Sequence, residues 1–198
     1  MRAQRVFLTV GTTSFDSLIE AVDTEAFLEV MRACGCQELV LQIGRGSYLP
    51  SKYLTVETCS QHGISFEYFR FKPTLADEMA AADLVISHCG AGSVLEAVTL
   101  QKLLLVVVND TLQENHQEEL ADAMASRKHC LKALPADVVP VLEGLAGRLS
   151  GNSNSDSDSP GGRGRRDPAA ALRALALEPY PEADLDAFPA VVDSLFSF

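Results

Sequence analysis

The stretch DLVISHCGAGSVLEA, residues 83–97, runs from an apolar strand pattern into a histidine, two glycines around an alanine, a serine and then a glutamate on a helical pattern. A helix that only packs against a sheet needs none of these. Glycines let backbone N–H groups approach an anion closely, and the positive end of a helix dipole favours the anion there. Three other segments carry related chemistry: GTTS at 11–14, GRGS at 44–47 and NDTLQENHQ at 109–117. Glu96 stands one turn into the helix, too far along to cap it. It can still face a loop-end cleft and accept two hydrogen bonds from a diol such as a ribose. The competing structural reading is a helix-start carboxylate favoured by the dipole. His116 and Gln117 open the next helical pattern, where an amide can bind sugar hydroxyls or simply cap the helix. Cys89 reads as a small buried thiol rather than a nucleophile.

These residues need elements to hold them. Apolar runs of strand length lie near 5–10, 38–43, 65–70, 83–87 and 103–108, with a weaker one near 130–134. Between them, 15–33, 74–82, 93–101 and 115–127 have apolar residues at helical spacing. Strands apolar on both faces and separated by helices predict an α/β fold with a mainly parallel sheet covered on both sides, a Rossmann-like doubly wound domain. In such sheets ligands bind beyond the carboxyl ends of the strands, where all four loops fall. GAGSVL begins like the dinucleotide fingerprint GxGxxG. It has Leu95 in the place of the third glycine and follows the fourth strand rather than the first, which disfavours NAD.

The chain has 198 residues, 47% of them hydrophobic, and a net charge of −11, which argues against nucleic acid or anionic lipid as a general partner. Five cysteines (Cys34, Cys36, Cys59, Cys89, Cys130) show no metal-ligand spacing. They suit a reducing compartment, and no metal is expected. The N-terminus has too short an apolar run for a signal peptide, and the aliphatic run 103–108 is far too short to span a bilayer. A soluble cytoplasmic chain is the expectation. The segmentation predicted is a nucleotide-sugar-binding domain over 1–149, a disordered insertion over 150–168 that holds no large apolar residue, and a C-terminal helical segment over 169–198. Within the last, 169–177 reads as a short Ala/Leu helix. Leu185, Phe188, Val191, Val192, Leu195 and Phe196 form an apolar stripe suited to packing on the domain or docking a partner.

LTVGTTSF (8–15), LQIGRG (41–46), DLVISHCGAGSVLEA (83–97) and NHQEELA (115–121) together resemble the soluble catalytic subunits of eukaryotic UDP-N-acetylglucosamine transferases, in glycosyltransferase family 28. More distantly they resemble the donor half of the bacterial lipid-linked peptidoglycan N-acetylglucosaminyltransferase. The resemblance covers 5–134 and resumes at 180–198. It implies the donor domain of a GT-B glycosyltransferase that transfers N-acetylglucosamine, with inversion, from UDP-N-acetylglucosamine to dolichyl-diphosphate-N-acetylglucosamine. That is the second step of lipid-linked oligosaccharide assembly for protein N-glycosylation. It implies neither cofactor nor metal, and a membrane-anchored, acceptor-binding partner subunit on the cytosolic face of the endoplasmic reticulum, the two forming a heterodimer.

Position by position, the resemblance places Gly11, Thr12 and Thr13 near the donor diphosphate, and Phe71 and Lys72 beside the uracil, Lys72 through its backbone. It assigns Gly90, Ala91, Gly92 and Ser93 to the phosphate-side turn, Glu96 to the ribose, and His116 and Gln117 to the donor sugar. His116 replaces a glutamine of the bacterial relative, and His88 replaces its arginine. His88 either orients the loop or, if protonated, contacts phosphate. The catalytic base is assigned to no residue; His88 and His116 are weak candidates, and the partner can equally supply it. The alternative function is a non-catalytic nucleotide-sugar-binding module.

Overall fold

The computed structural model describes residues 3–109, 116–151, 172–173 and 175–181. Six strands, β1 (Arg5–Thr9), β2 (Glu38–Gln42), β3 (Ser65–Phe69), β4 (Leu84–Ser87), β5 (Leu103–Val107) and β6 (Leu131–Ala133), form one sheet in the order β3-β2-β1-β4-β5-β6. Every pairing is parallel. Each strand stands where the apolar runs predict it, including the weak sixth. The order reverses between β1 and β4, so the crevice of the doubly wound fold opens at their carboxyl ends.

The helices are α1 (Asp16–Val22), α2 (Glu25–Cys34), α3 (Val56–Gln61), α4 (Ala76–Ala81), α5 (Ala91–Thr99), α6 (His116–Ser126) and α7 (Val138–Gly151), with a 3₁₀ turn at Pro135–Asp137. Alternate strand residues feed two apolar layers. Val6 and Leu8 of β1 face the layer of α1, α2 and α7, and Phe7 faces the layer of α4, α5 and α6.

The segment 15–33, predicted as one helix, is two. Thr24 starts α2 as its N-cap, its side chain accepting from Phe27 N at 3.3 Å. Asp23, 1% exposed, is the C-cap of α1, its N–H donating to Ile19 O at 3.0 Å. Its carboxylate accepts from Tyr48 Oη and from the backbone N–H of Ser51, Lys52, Tyr53 and Leu54 at 2.7–3.0 Å. Burial alone would raise its pKa, but these donors pull it down to about 2.

Two helices were not predicted. The six-residue α3 follows a Thr55 cap. In α7, Val138, Leu142, Leu145, Ala146 and Leu149 keep helical spacing and are buried. Pro140, Gly144 and Gly147 disguise the pattern, although Pro140 lies in the first turn, where its missing N–H costs nothing.

The helix α7 ends two residues past the boundary at 149. Most of the 150–168 insertion and all of the 184–197 stripe lie outside the described residues. Of the 169–177 helix, 172–173 are helical, and Leu172, Leu175 and Leu177 are buried in the α2/α7 layer. The chain then crosses to the other layer. Arg148 donates to Leu175 O (3.3 Å), Glu178 N to Lys128 O (2.8 Å), and Gln101 Nε2 to Tyr180 O (2.6 Å). The Tyr180 ring meets His129 edge-on.

Candidate functional site

Thr9 and Ser87 are register partners at the ends of β1 and β4, so the loops that follow, 11–14 and 88–93, meet at the crevice. Gly11 takes the left-handed conformation (φ +62), and its N–H donates to Thr9 Oγ1 at 2.9 Å. His88, 7% exposed, fills the space between the loops. A Cβ on Gly11 would stand 2.6 Å from its Cε1 and 2.8 Å from its Nε2, and a Cβ on Gly90 would also collide with the ring. Both glycines are therefore required by the imidazole as well as by any ligand. His88 Nδ1 lies 3.2 Å from Thr9 O. A carbonyl only accepts, so Nδ1 carries the hydrogen and Nε2 of the neutral ring is bare. Burial lowers the His88 pKa and the Thr9 carbonyl opposes it, leaving a net depression.

Gly90 is the N-cap of α5 in an extended conformation (φ −71, ψ 126) with no side-chain cap. The first N–H bonded back into the helix is that of Val94, to Gly90 O at 2.9 Å. Those of Ala91, Gly92 and Ser93 have no intrahelical acceptor. The helix begins two residues earlier than the sequence spacing predicts. That makes Glu96 its sixth residue, in the second turn, and no acidic residue occupies the first. The dipole effect fades within one turn, so the helix-start reading of Glu96 loses its basis. Glu96 is half-buried, and Ala91 and Gly92 are exposed.

Cys89 adopts φ +63, is 1% exposed, and donates its thiol to Gln117 O at 2.9 Å. Burial pushes the thiol up to about 11, so it is an inert donor that ties the turn to the start of α6. Gln117 is half-buried, with an Oε1 that is fully covered and has no partner among the described residues. His116 is placed by its backbone as the first residue of α6.

The GRGS loop departs from the expectation of an anion cradle. Arg45 N donates to Thr13 O (2.9 Å), Gly46 N to Ile43 O (3.4 Å), and Ser47 N and Oγ to Asp16 Oδ2 (3.0 and 2.6 Å). Arg70 Nη1 holds the carbonyls of Gly44 and Gly46 at 3.0 and 2.8 Å. With these N–H groups consumed, the loop is a brace for the β1 loop. Asp16 and Arg70 are the positioning residues that sequence reading missed, because they converge only in three dimensions.

Thr12 and Thr13 are exposed, and Thr13 Oγ1 donates to Val10 O at 2.8 Å. Past β3, Phe71 is 51% exposed. The Lys72 ammonium pairs with Glu78 (2.5 Å) and Glu67 (3.4 Å) and lies 4.2 Å from the centre of the Phe69 ring. Glu78 in turn holds Arg5 at 2.6 Å. A depression of about 290 Å³ between α3 and the edge strand β3, lined by Val56, Ser60, Gly63, Ile64, Ser65 and Phe66, lies away from these loops. Among the described residues no group of three or more His, Cys, Asp or Glu could hold a metal ion.

The glycosyltransferase family 28 C-terminal domain matches residues 5–157, most of the chain. The chain belongs to glycosyltransferase family 28. This family member is 41% identical over 126 residues to the mouse UDP-N-acetylglucosamine transferase subunit ALG13, covering 64% of this chain and 10% of the relative. It is 34% identical over 137 residues to the Yarrowia lipolytica subunit of the same name, covering 69% and 68%. It thus spans about a tenth of the mouse relative's length. Among solved structures, an ALG13 solution structure superposes with a TM-score of 0.52 at 23% identity, covering 89% of this chain and 96% of that one. MurG of Acinetobacter baumannii superposes at 0.53 and 17% identity, covering 75% and 42%. Both share the fold, which for MurG corresponds to less than half of its chain.

Proposed function

We propose that this chain is the donor-binding subunit of an inverting N-acetylglucosaminyltransferase. It holds UDP-N-acetylglucosamine at the carboxyl ends of β1 and β4 and works with a membrane-anchored, acceptor-binding partner. The observation that carries this reading is the uncapped N-terminus of α5, with Gly11 and Gly90 closed around His88 and Glu96 one turn further on. Three free N–H groups and a helix dipole suit the diphosphate, and the carboxylate suits the ribose diol. Phe71 lies beside the base, and His116 and Gln117 meet the sugar. During transfer the developing charge on the leaving diphosphate would fall on the same N–H groups, so the site stabilises the transition state as well as the donor. No metal or cofactor takes part in this reading.

The acceptor is dolichyl-diphosphate-N-acetylglucosamine, and the complex works on the cytosolic face of the endoplasmic reticulum. The naming of relatives as subunits favours a partner. The test is a pull-down from microsomes with the purified chain, followed by a transferase assay on the dolichyl-diphosphate acceptor. Transfer that requires both subunits is expected. A recovered pair that binds donor and transfers nothing would identify a nucleotide-sugar-binding module instead.

A further inference from the structure

His88 is a buried group whose purpose the packing does not exhaust. One nitrogen is fixed by Thr9 O. The other, Nε2, lies between Gly11 and Gly90, the N-cap of α5, with no hydrogen-bond partner among the described residues. In the neutral ring that nitrogen is a lone pair. An anion arriving on the free N–H groups of α5 would therefore face an acceptor, and two acceptors repel.

The ring can turn this contact into an attractive one, while keeping its Nδ1–H bond to Thr9 O, only by gaining a proton. Its surroundings set no competing charge. Thr9 and Gly11 face it from β1 and its loop, and Gly90 from the β4–α5 turn. The first turn of α5 (Ala91, Gly92, Ser93) carries no titratable group. Cys89 next to it points to Gln117 O and keeps its proton. Burial alone keeps the empty ring neutral.

We propose that binding of a nucleoside-diphosphate sugar here is coupled to uptake of one proton by His88 at Nε2, so that the imidazolium donates to the diphosphate. The proton comes from solvent on binding and returns to it when the nucleotide leaves. This rests on the donor-site reading above and adds to it a proton taken up at His88. The consequence is a donor affinity that weakens as pH rises, by up to about tenfold per pH unit between the ring's free and bound pKa values.

UDP-N-acetylglucosamine is the probe of choice, because its diphosphate is a diester and does not itself titrate near neutrality. Calorimetry at pH 7 in two buffers of different ionisation enthalpy should give uptake of about one proton per site. His88→Gln places an amide donor near Nε2 without a titrating group, and it should bind with neither proton uptake nor pH slope. Ring ¹⁵N shifts of the unaltered chain give the same answer without a variant. The free protein should show the neutral Nδ1–H tautomer, and the complex the imidazolium. Donor binding with buffer-independent heat, or a ring that stays neutral in the complex, would overturn the proton coupling alone. Failure to bind the donor under any condition would overturn the donor-site reading and this one with it.

Discussion

Replacing Gly90 by alanine adds one methyl group, and the structure says where it must go. Gly90 has an extended backbone that alanine adopts freely, so no conformational strain enters. The new Cβ would stand 2.7 Å from His88 Cε1, well inside the roughly 3.5–4.0 Å of an ordinary carbon contact. The ring cannot retreat, being buried and bonded to Thr9 O. Overpacking of this kind costs about 1–3 kcal/mol. Gly92 is the control, two residues along in the same turn. A Cβ there meets nothing within 4 Å, and helix propensity favours alanine by up to ~1 kcal/mol. Two single-methyl variants should thus differ by about 1–4 kcal/mol, or some 2–16 °C in Tm at roughly 2–4 °C per kcal/mol. Urea unfolding of Gly90→Ala, His88→Ala and the double variant closes the cycle. In the His88→Ala background the methyl at 90 should cost almost nothing, a coupling of about 1–3 kcal/mol. Equal stability of the Gly90 and Gly92 variants, or additive effects in the cycle, would refute the sandwich of His88 between the two glycines.

Asp23 gives a pH signature. Its carboxyl falls from 3.8 to about 2 on folding, which amounts to about 2.5 kcal/mol, complete above pH ~4 and lost as pH falls through ~2. Asp23→Asn should be less stable at pH 7 by roughly that amount, and the gap should close on acidification; a constant gap would remove the carboxylate from the loop's support. Glu96→Gln should weaken UDP binding about ten- to a hundredfold without altering the melting temperature, since charged hydrogen bonds worth roughly 1.5–3 kcal/mol are lost. Unchanged affinity by calorimetry would exclude the ribose role. Leu175→Ala should cost about 2–5 kcal/mol although it follows a long hydrophilic stretch, because the side chain is 2% exposed. A neutral effect on unfolding would mean that 172–181 is not part of the core.

What the sequence displays and what it hides divide along physical lines. Strands of a covered parallel sheet are apolar on both faces, so runs such as LLLVVV announce themselves, and even the three-residue β6 is legible. Helix boundaries depend on side chains that compete for backbone groups. Nothing local shows that the Asp23 carboxylate, at the end of α1, will bind four N–H groups of residues 51–54. The regular apolar spacing of α7 was present but obscured by a proline and two glycines, each harmless where it stands. At the site, Gly90, Gly92, Glu96 and His88 were recognisable because they share one strand–turn–helix. The brace formed by Asp16, Ser47 and Arg70 was not, because three separate loops supply it. The same blindness made GRGS look like an anion loop. A glycine-rich turn is the same string of letters whether its N–H groups are free or already spent on Thr13, Ile43 and Asp16.

The central claim is that a nucleoside-diphosphate sugar binds this chain at the ends of β1 and β4. Amide chemical-shift mapping of the purified chain titrated with UDP-N-acetylglucosamine tests it most directly. The largest shifts should fall on Gly11–Thr13, Phe71–Lys72, Gly90–Glu96 and Gln117, with Gly46 and Ser47 of the brace little changed. Saturable shifts centred on the brace or on the α3–β3 depression, with Gly90–Ser93 unmoved, would contradict the account.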